Sequence, residues 1–236
     1  LQYFKQHKIL NIPPKNNRNI LIDKIKPFIS PESNILNVSA KTGEFIHQLN
    51  EIDTPFNLFA LEENTILYNM IKDISNCTTF NNHMLFLSSP HNFKKYDIIL
   101  GTPPSYYIDK KTEIGDKYKH WFINKTDIYS LYIIRSIDLL INNGILAFII
   151  PDTFLNNPFQ QLLRNKIYKS GNLLHLERLP NRFTKTVYNT VLIVFQKNNK
   201  SNNPYLYKHY KFPLYTTDLP LYKSIYDKST NLNNLR

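Results

Sequence analysis

Tyr96-Asp97-Ile98-Ile99-Leu100-Gly101-Thr102-Pro103-Pro104-Ser105-Tyr106-Tyr107 is the stretch that decides how the rest of this chain is read. Ile98 to Leu100 form a short apolar run, the make-up of a strand buried on both faces in a parallel sheet. Gly101 ends it, and Pro103 and Pro104 follow with fixed φ and no N–H to donate. A stiff, carbonyl-exposing turn at the C-terminal end of a central strand is where open α/β sheets hold their ligands. The same residues also suit a strand that simply stops at a Pro-Pro turn, so the flanking sequence has to choose.

Upstream, Ile12-Pro13-Pro14-Lys15 leads into a periodic run through Ile20, Leu21, Ile25 and Phe28, which predicts a helix stopped between Pro27 and Pro31. Asn34 to Ser39 reads as a short buried strand, and Ala40 to Gly43 as a turn into a helix carrying Phe45, Ile46 and Leu49. A strand, a small-residue turn and a helix N-terminus make a cradle for an anionic group, here with Gly43 as its single glycine. Asn57 to Glu63 is a second strand with an acidic end. Glu62 there suits the hydroxyls of a ribose, or equally favours the N-terminus of the next helix, which is expected to run to about Ile74. A third strand is expected within 78–87, and 96–101 is the fourth.

Downstream, Ile108 to Lys125 lacks periodicity and interleaves Lys110, Lys111, Lys117, Lys119 and Lys125 with Tyr118, Trp121 and Phe122. Long loops in compact domains are usually functional, and this mixture suits a nucleic-acid backbone and unstacked bases. A solvated surface loop has the same composition. Asp127 is placed to cap a helix with Leu131, Ile134, Ile137 and Leu140 on its apolar face, ended by Asn142-Asn143-Gly144. Ile145 to Ile150 is the fifth strand, Pro151 opens a helix to about Tyr168, and Leu173–Leu179 and Val187–Phe195 are two further strands. The reading divides the chain into a catalytic-type domain over 1–197 and a basic, tyrosine-rich linker over 198–236.

The totals exclude several classes. The 236 residues carry a formal net charge of +11, which favours a polyanionic partner such as nucleic acid; AT-rich codon usage would also enrich Lys, Asn, Ile and Tyr. One cysteine, Cys77, excludes an internal disulfide framework and fits a reducing compartment rather than secretion. No apolar run has the length of a membrane span. The scattered histidines predict no metal site. No Gly-Lys-Ser/Thr loop for nucleotide hydrolysis and no Gly-x-Ser-x-Gly elbow is present. The chain starts at Leu1 rather than Met, which suggests a fragment.

Alternating helices and strands imply an α/β fold with a doubly wound, mostly parallel seven-stranded Rossmann-like sheet. With the Pro-Pro turn on strand four, the chain resembles the class I S-adenosylmethionine-dependent methyltransferases. Within them it is most similar to the gamma-class adenine-N6 DNA methyltransferases of the Taq and Eco57 type. The resemblance covers residues 12–197. It is carried by Ile12-Pro-Pro-Lys15, Tyr96 to Pro104, Asp127-Ile-Tyr-Ser-Leu-Tyr132, Asn143 to Leu155, Leu163-Arg164 and Phe183 to Val194. In this family the last strand closes the sheet antiparallel.

The resemblance implies S-adenosylmethionine as cofactor, lined by Pro14, Asn37, Ser39, Gly43, Glu62 and Thr102. It implies DNA as substrate, contacted by Lys110, Lys111, Lys117, Lys119 and Trp121. A flipped adenine would meet the family's Asn-Pro-Pro-Tyr motif, which here is Thr102-Pro103-Pro104-Ser105, with Tyr106 or Tyr107 available to stack in place of the missing tyrosine. Thr102 stands for the motif's Asn, Ser105 for its Tyr, and Lys41 for a glycine of the first loop. The acidic residue expected after strand three would fall near His83 or Met84 and is absent. These departures sit at the chemistry, so a catalytically silent, nucleic-acid-binding or scaffolding subunit is the alternative to an active enzyme. A recognition or nuclease domain, fused or on a partner subunit, is expected alongside.

Overall fold

The computed structural model describes residues 12–87, 95–122, 126–155, 157–180 and 189–198. The expected linker thus lies outside the described residues from 199 onward, as do Phe183–Val187 and Lys125. In chain order the elements are α1 (Lys15–Ile25), β1 (Asn34–Val38), α2 (Glu44–Asn50), β2 (Asn57–Leu61), α3 (Thr65–Ile71), β3 (Thr78–Phe80) and β4 (Tyr96–Gly101). There follow β5 (Tyr107–Ile108), α4 (Glu113–Lys117), β6 (Thr126–Asp127), α5 (Ile128–Leu139), β7 (Leu140–Pro151), α6 (Gln161–Ser170), β8 (Gly171–Arg178) and β9 (Thr190–Lys197).

Seven strands form one sheet in the order β3-β2-β1-β4-β7-β9-β8. The pairs from β3 to β7 are parallel, and β9 runs antiparallel to both β7 and β8. The α/β class, the doubly wound sheet and the antiparallel final strand are therefore as the sequence predicted. After β1 the chain winds outward to β2 and β3, then returns to lay β4 on the other side of β1. This reversal makes a crevice beyond the C-terminal ends of β1 and β4.

Both sheet faces are buried, which explains the unbroken apolar strands. One face packs Leu21, Ile25, Phe45, Ile46 and Leu49 of α1 and α2. The other packs Tyr129, Ile133, Ile137, Leu163 and Ile167 of α5 and α6.

The third strand lies within 78–87 as expected, at Thr78–Phe80, and Met84–Phe86 is a single 3-10 turn. Asn81 there donates to the Glu62 carbonyl, and His83 Nδ1 accepts from the Leu85 N–H; such local side-chain bonds compete with a ladder. Three other expectations change. The helix expected from Pro151 begins only at Gln161, after two 3-10 turns. Pro158 and the Asn157 side chain, which accepts from the Phe159 N–H, interrupt it. Asn142 to Gly144 lie inside β7, as an irregularity between the Tyr96–Leu140 and Ile98–Ile145 pairs. The segment 108–125 contains α4, with the Thr112 hydroxyl accepting from the Gly115 N–H at its start.

Candidate active site

Three strand tips build the site. β1 ends at Val38, which pairs with Gly101, the last residue of β4. A Cβ on Gly101 would lie 2.4 Å from the Val38 carbonyl oxygen, and its φ is +150°. Only glycine lets the two tips approach this closely.

After β1 the chain turns sharply, with Ser39, Lys41 and Gly43 all at positive φ. The turn is fastened to β2: the Ala40 N–H donates to the Leu61 carbonyl at 2.9 Å, and the Lys41 N–H to Glu62 Oε2 at 2.7 Å. Glu62 Oε1 accepts from the Asn64 N–H at 3.0 Å. Burial raises the pKa of the Glu62 carboxyl, and these two amides pull it back. Asn37 is fully buried under the turn, and neither of its amide atoms has a hydrogen-bond partner. Buried polar groups are normally satisfied, so the Asn37 amide leaves hydrogen-bonding capacity open at this strand tip.

From this turn the Lys41 side chain crosses to β4, where its Nζ donates to Thr102 Oγ1 at 2.8 Å. Burial lowers the Lys41 pKa to about 8, although Glu44 and Glu62 favour its charged form. Thr102 is itself 3% exposed.

Beyond Thr102 the Pro-Pro tip is held by a small ribbon, in which Tyr107 and Ile108 pair antiparallel with Asp127 and Thr126. Asp127 occupies the N-cap position of α5 but makes no capping bond. Instead Ser105 Oγ donates to Asp127 Oδ2 at 3.2 Å, and Oδ1 has no partner. Asp127 thus stands at the start of α5 as the sequence predicted, with the first-turn amides of Ile128 and Tyr129 favouring its charged form, and it also takes the Ser105 hydroxyl of the tip. Burial pushes the Asp127 pKa up to about 7, against the Ser105 hydroxyl and neighbouring backbone amides.

Tyr106 is half exposed. Burial of the rest, with the Glu63 and Asp127 carboxylates nearby, raises its pKa. Tyr132 of α5 faces the same place: its hydroxyl bonds to the Ser39 side chain, and burial and Glu63 raise its pKa well above the ordinary phenol value.

The remaining candidates are scattered. Pro14 precedes α1, which Arg18 fixes by bonding Pro13 and Gln48 of α2. Lys110, Lys111, Lys117 and Lys119 are exposed. Lys117 Nζ sits 5.3 Å from the Phe86 ring centre, and Lys119 pairs with Asp116. Trp121 packs against the core with Lys166 over its ring. Sequence reasoning did not find Tyr132, or Asp127 as a site residue. Each enters through a contact with another segment, which leaves no local signal. Among the described residues no cluster of His, Cys, Asp or Glu could hold a metal. No described helix is long and apolar enough to cross a membrane.

The sequence model of the Eco57I restriction-modification methylases matches residues 15–182. The chain belongs to the Eco57I restriction-modification methylase family. The type II methyltransferase M.AccI of Acinetobacter calcoaceticus is 35% identical over 88 residues, covering 35% of this chain and 16% of M.AccI. Among solved structures, a Listeria monocytogenes protein assigned to the class I S-adenosylmethionine-dependent methyltransferases superposes with a TM-score of 0.66. It is 15% identical, over 78% of this chain and 60% of the other. The M protein of the type I restriction enzyme EcoKI gives 0.60 at 16% identity, over 88% and 52%. The type IIG restriction endonuclease BpuSI gives 0.62 at 15% identity, over 82% and 26%. The fold is thus that of class I methyltransferases, and the chain spans only part of each relative.

The cofactor of this Eco57I-family fold is S-adenosylmethionine. The β2 side of the crevice fits it, with a buried carboxylate at Glu62 and the orphaned amide of Asn37. On the β4 side, the Lys41 side chain stands between the two strand tips.

Proposed function

We propose that this chain is the methyl-transfer domain of a DNA methyltransferase acting on the N6 amino group of adenine. The observation that carries this reading is the Val38–Gly101 pairing, which sets Thr102-Pro103-Pro104 at the switch-point crevice, across β1 from the strand that ends at the Glu62 carboxylate. When bound, S-adenosylmethionine supplies an electrophilic methyl group on a sulfonium sulfur. Glu62, Asn37, Ser39, Gly43 and Pro14 are its candidate holders.

The chain's own work is positional. A target adenine turned out of the duplex would present its amino group to Thr102 Oγ1 and the main-chain carbonyl of Pro103. Accepting those N–H bonds directs the nitrogen lone pair at the methyl carbon, so orientation and fixed dipoles supply most of the rate. Tyr106, half exposed at the tip, is the candidate stacking ring, and Ser105 holds the tip through Asp127. The exposed lysines 110, 111, 117 and 119 suit the phosphate backbone. Since the chain covers 16% of M.AccI, target choice is assigned to a recognition or nuclease module outside this segment or on a partner. The lone cysteine and the DNA substrate fit a reducing, DNA-containing compartment.

A second reading, a methyltransferase fold that binds nucleic acid without turnover, is favoured by Thr102 and Ser105 standing where the family has Asn and Tyr. Incubation with methyl-labelled S-adenosylmethionine and either mixed duplex DNA or RNA separates the two. Label recovered as N6-methyladenine after nucleoside digestion supports the first reading. Label on cytosine, or on RNA alone, overturns it, and DNA retention without any label supports the second.

A further inference from the structure

Lys41 and Thr102 are two departures from the family pattern that lie far apart in the chain, and in the fold they touch. Lys41 leaves the tip of β1, Thr102 leaves the tip of β4, and these strands flank the reversal in winding. The 2.8 Å bond from Lys41 Nζ to Thr102 Oγ1 therefore spans the mouth where an open α/β sheet receives its ligand. Lys41 is 8% exposed and Thr102 3%. A long side chain inside a crevice, rather than on its rim, takes up ligand space.

The geometry points to Lys41 as a built-in occupant of the donor crevice, which a sulfonium ligand has to displace before it can reach Thr102. This inference rests on the donor reading given above. Two physical effects act together. The four-carbon stem fills volume that the donor's reacting end needs. The ammonium also places a positive charge in a poorly solvated site where the sulfonium is itself positive, so the two repel strongly. The backbone gives Lys41 no reason of its own, because its φ of +55° is a conformation that glycine adopts without strain. A lysine kept there is held by what its side chain reaches.

The test is calorimetric titration of wild type, Lys41→Gly and Lys41→Met with S-adenosylmethionine and with S-adenosylhomocysteine, which lacks the sulfonium charge. Glycine suits the backbone at position 41, and a thermal melt of each variant checks that the fold survives. The expected result is a tenfold or greater gain in S-adenosylmethionine affinity for Lys41→Gly, with a smaller gain for Lys41→Met, which removes the charge and keeps the bulk. Equal affinity in all three proteins would overturn the inference and leave the donor reading standing. Weaker binding by Lys41→Gly would also overturn it, making Lys41 a contact for the donor's carboxylate. Absence of binding by every protein up to millimolar of either ligand would overturn the inference together with the donor reading.

Discussion

Lys41 Nζ donates to Thr102 Oγ1 at 2.8 Å across 61 residues of sequence, and this bond closes the β1 and β4 tips over one another. A charged amine in that position is costly, because burial strips it of water. Burial lowers its pKa in the folded protein to about 8, from an ordinary value of 10.5, against the pull of Glu44 and Glu62.

The sign of the pH dependence follows from that depression. Between about pH 8 and 10.5 the unfolded chain holds a proton on Lys41 that the folded chain has released, so stability rises with pH in that window. Below pH 8 both states are protonated and the cost of the buried charge is fully present. Lys41→Met is expected to be more stable than wild type at pH 7 by about 1–3 kcal/mol, with the gap closing by pH 10. Urea unfolding midpoints at the two pH values measure this, and a variant less stable than wild type at pH 7 would refute it.

Asp127 behaves in the opposite sense. Its folded pKa of about 7 stands above the ordinary 3.8, with burial the largest cause. From pH 4 to 7 the folded state keeps a proton that the unfolded state loses, so this group's contribution to stability falls as pH rises. Asp127→Asn removes that loss. At pH 8 it is expected to exceed wild type by about 1–3 kcal/mol, and to match it near pH 4. Chemical denaturation at pH 4, 6 and 8 tests the trend; a difference independent of pH would show that Asp127 does not titrate in this range.

Thr102 offers a hydroxyl where a side-chain amide is the stronger acceptor. If positioning of the amino group limits the rate, Thr102→Asn combined with Ser105→Tyr should raise adenine methylation by about 10²–10³-fold, the scale on which one well-placed polar group changes catalysis. Labelled methyl transfer to duplex DNA reads this out. A double variant no faster than wild type would mean that these two positions do not limit the chemistry.

Gly101 is constrained from two sides. Its φ of +150° and the 2.4 Å that would separate a Cβ from the Val38 carbonyl oxygen leave no room for a side chain. Gly101→Ala is expected to cost about 2–4 kcal/mol, by prying β4 from β1 where their pairing ends. Unchanged denaturation would show that the tips tolerate separation.

The amino-acid order alone determined the layout of the sheet. Unbroken apolar runs, period-3.6 patterns, the turn at Gly101 and the run Ile145–Ile150 are local, and burial on both faces of a parallel sheet writes itself into each strand separately. It also displayed Thr102, Ser105 and Lys41 as departures from a family pattern. What it did not contain was their partners. Asp127 carries every local mark of a helix cap and stands at that position, but its bond to Ser105 is not written there: the β5–β6 ribbon brings the hydroxyl to the carboxylate. Ser39 meets Tyr132, and Lys41 meets Thr102, for the same reason. Hydrogen bonds between distant segments depend on where strand ends arrive in space, and no periodicity along the chain encodes that arrival.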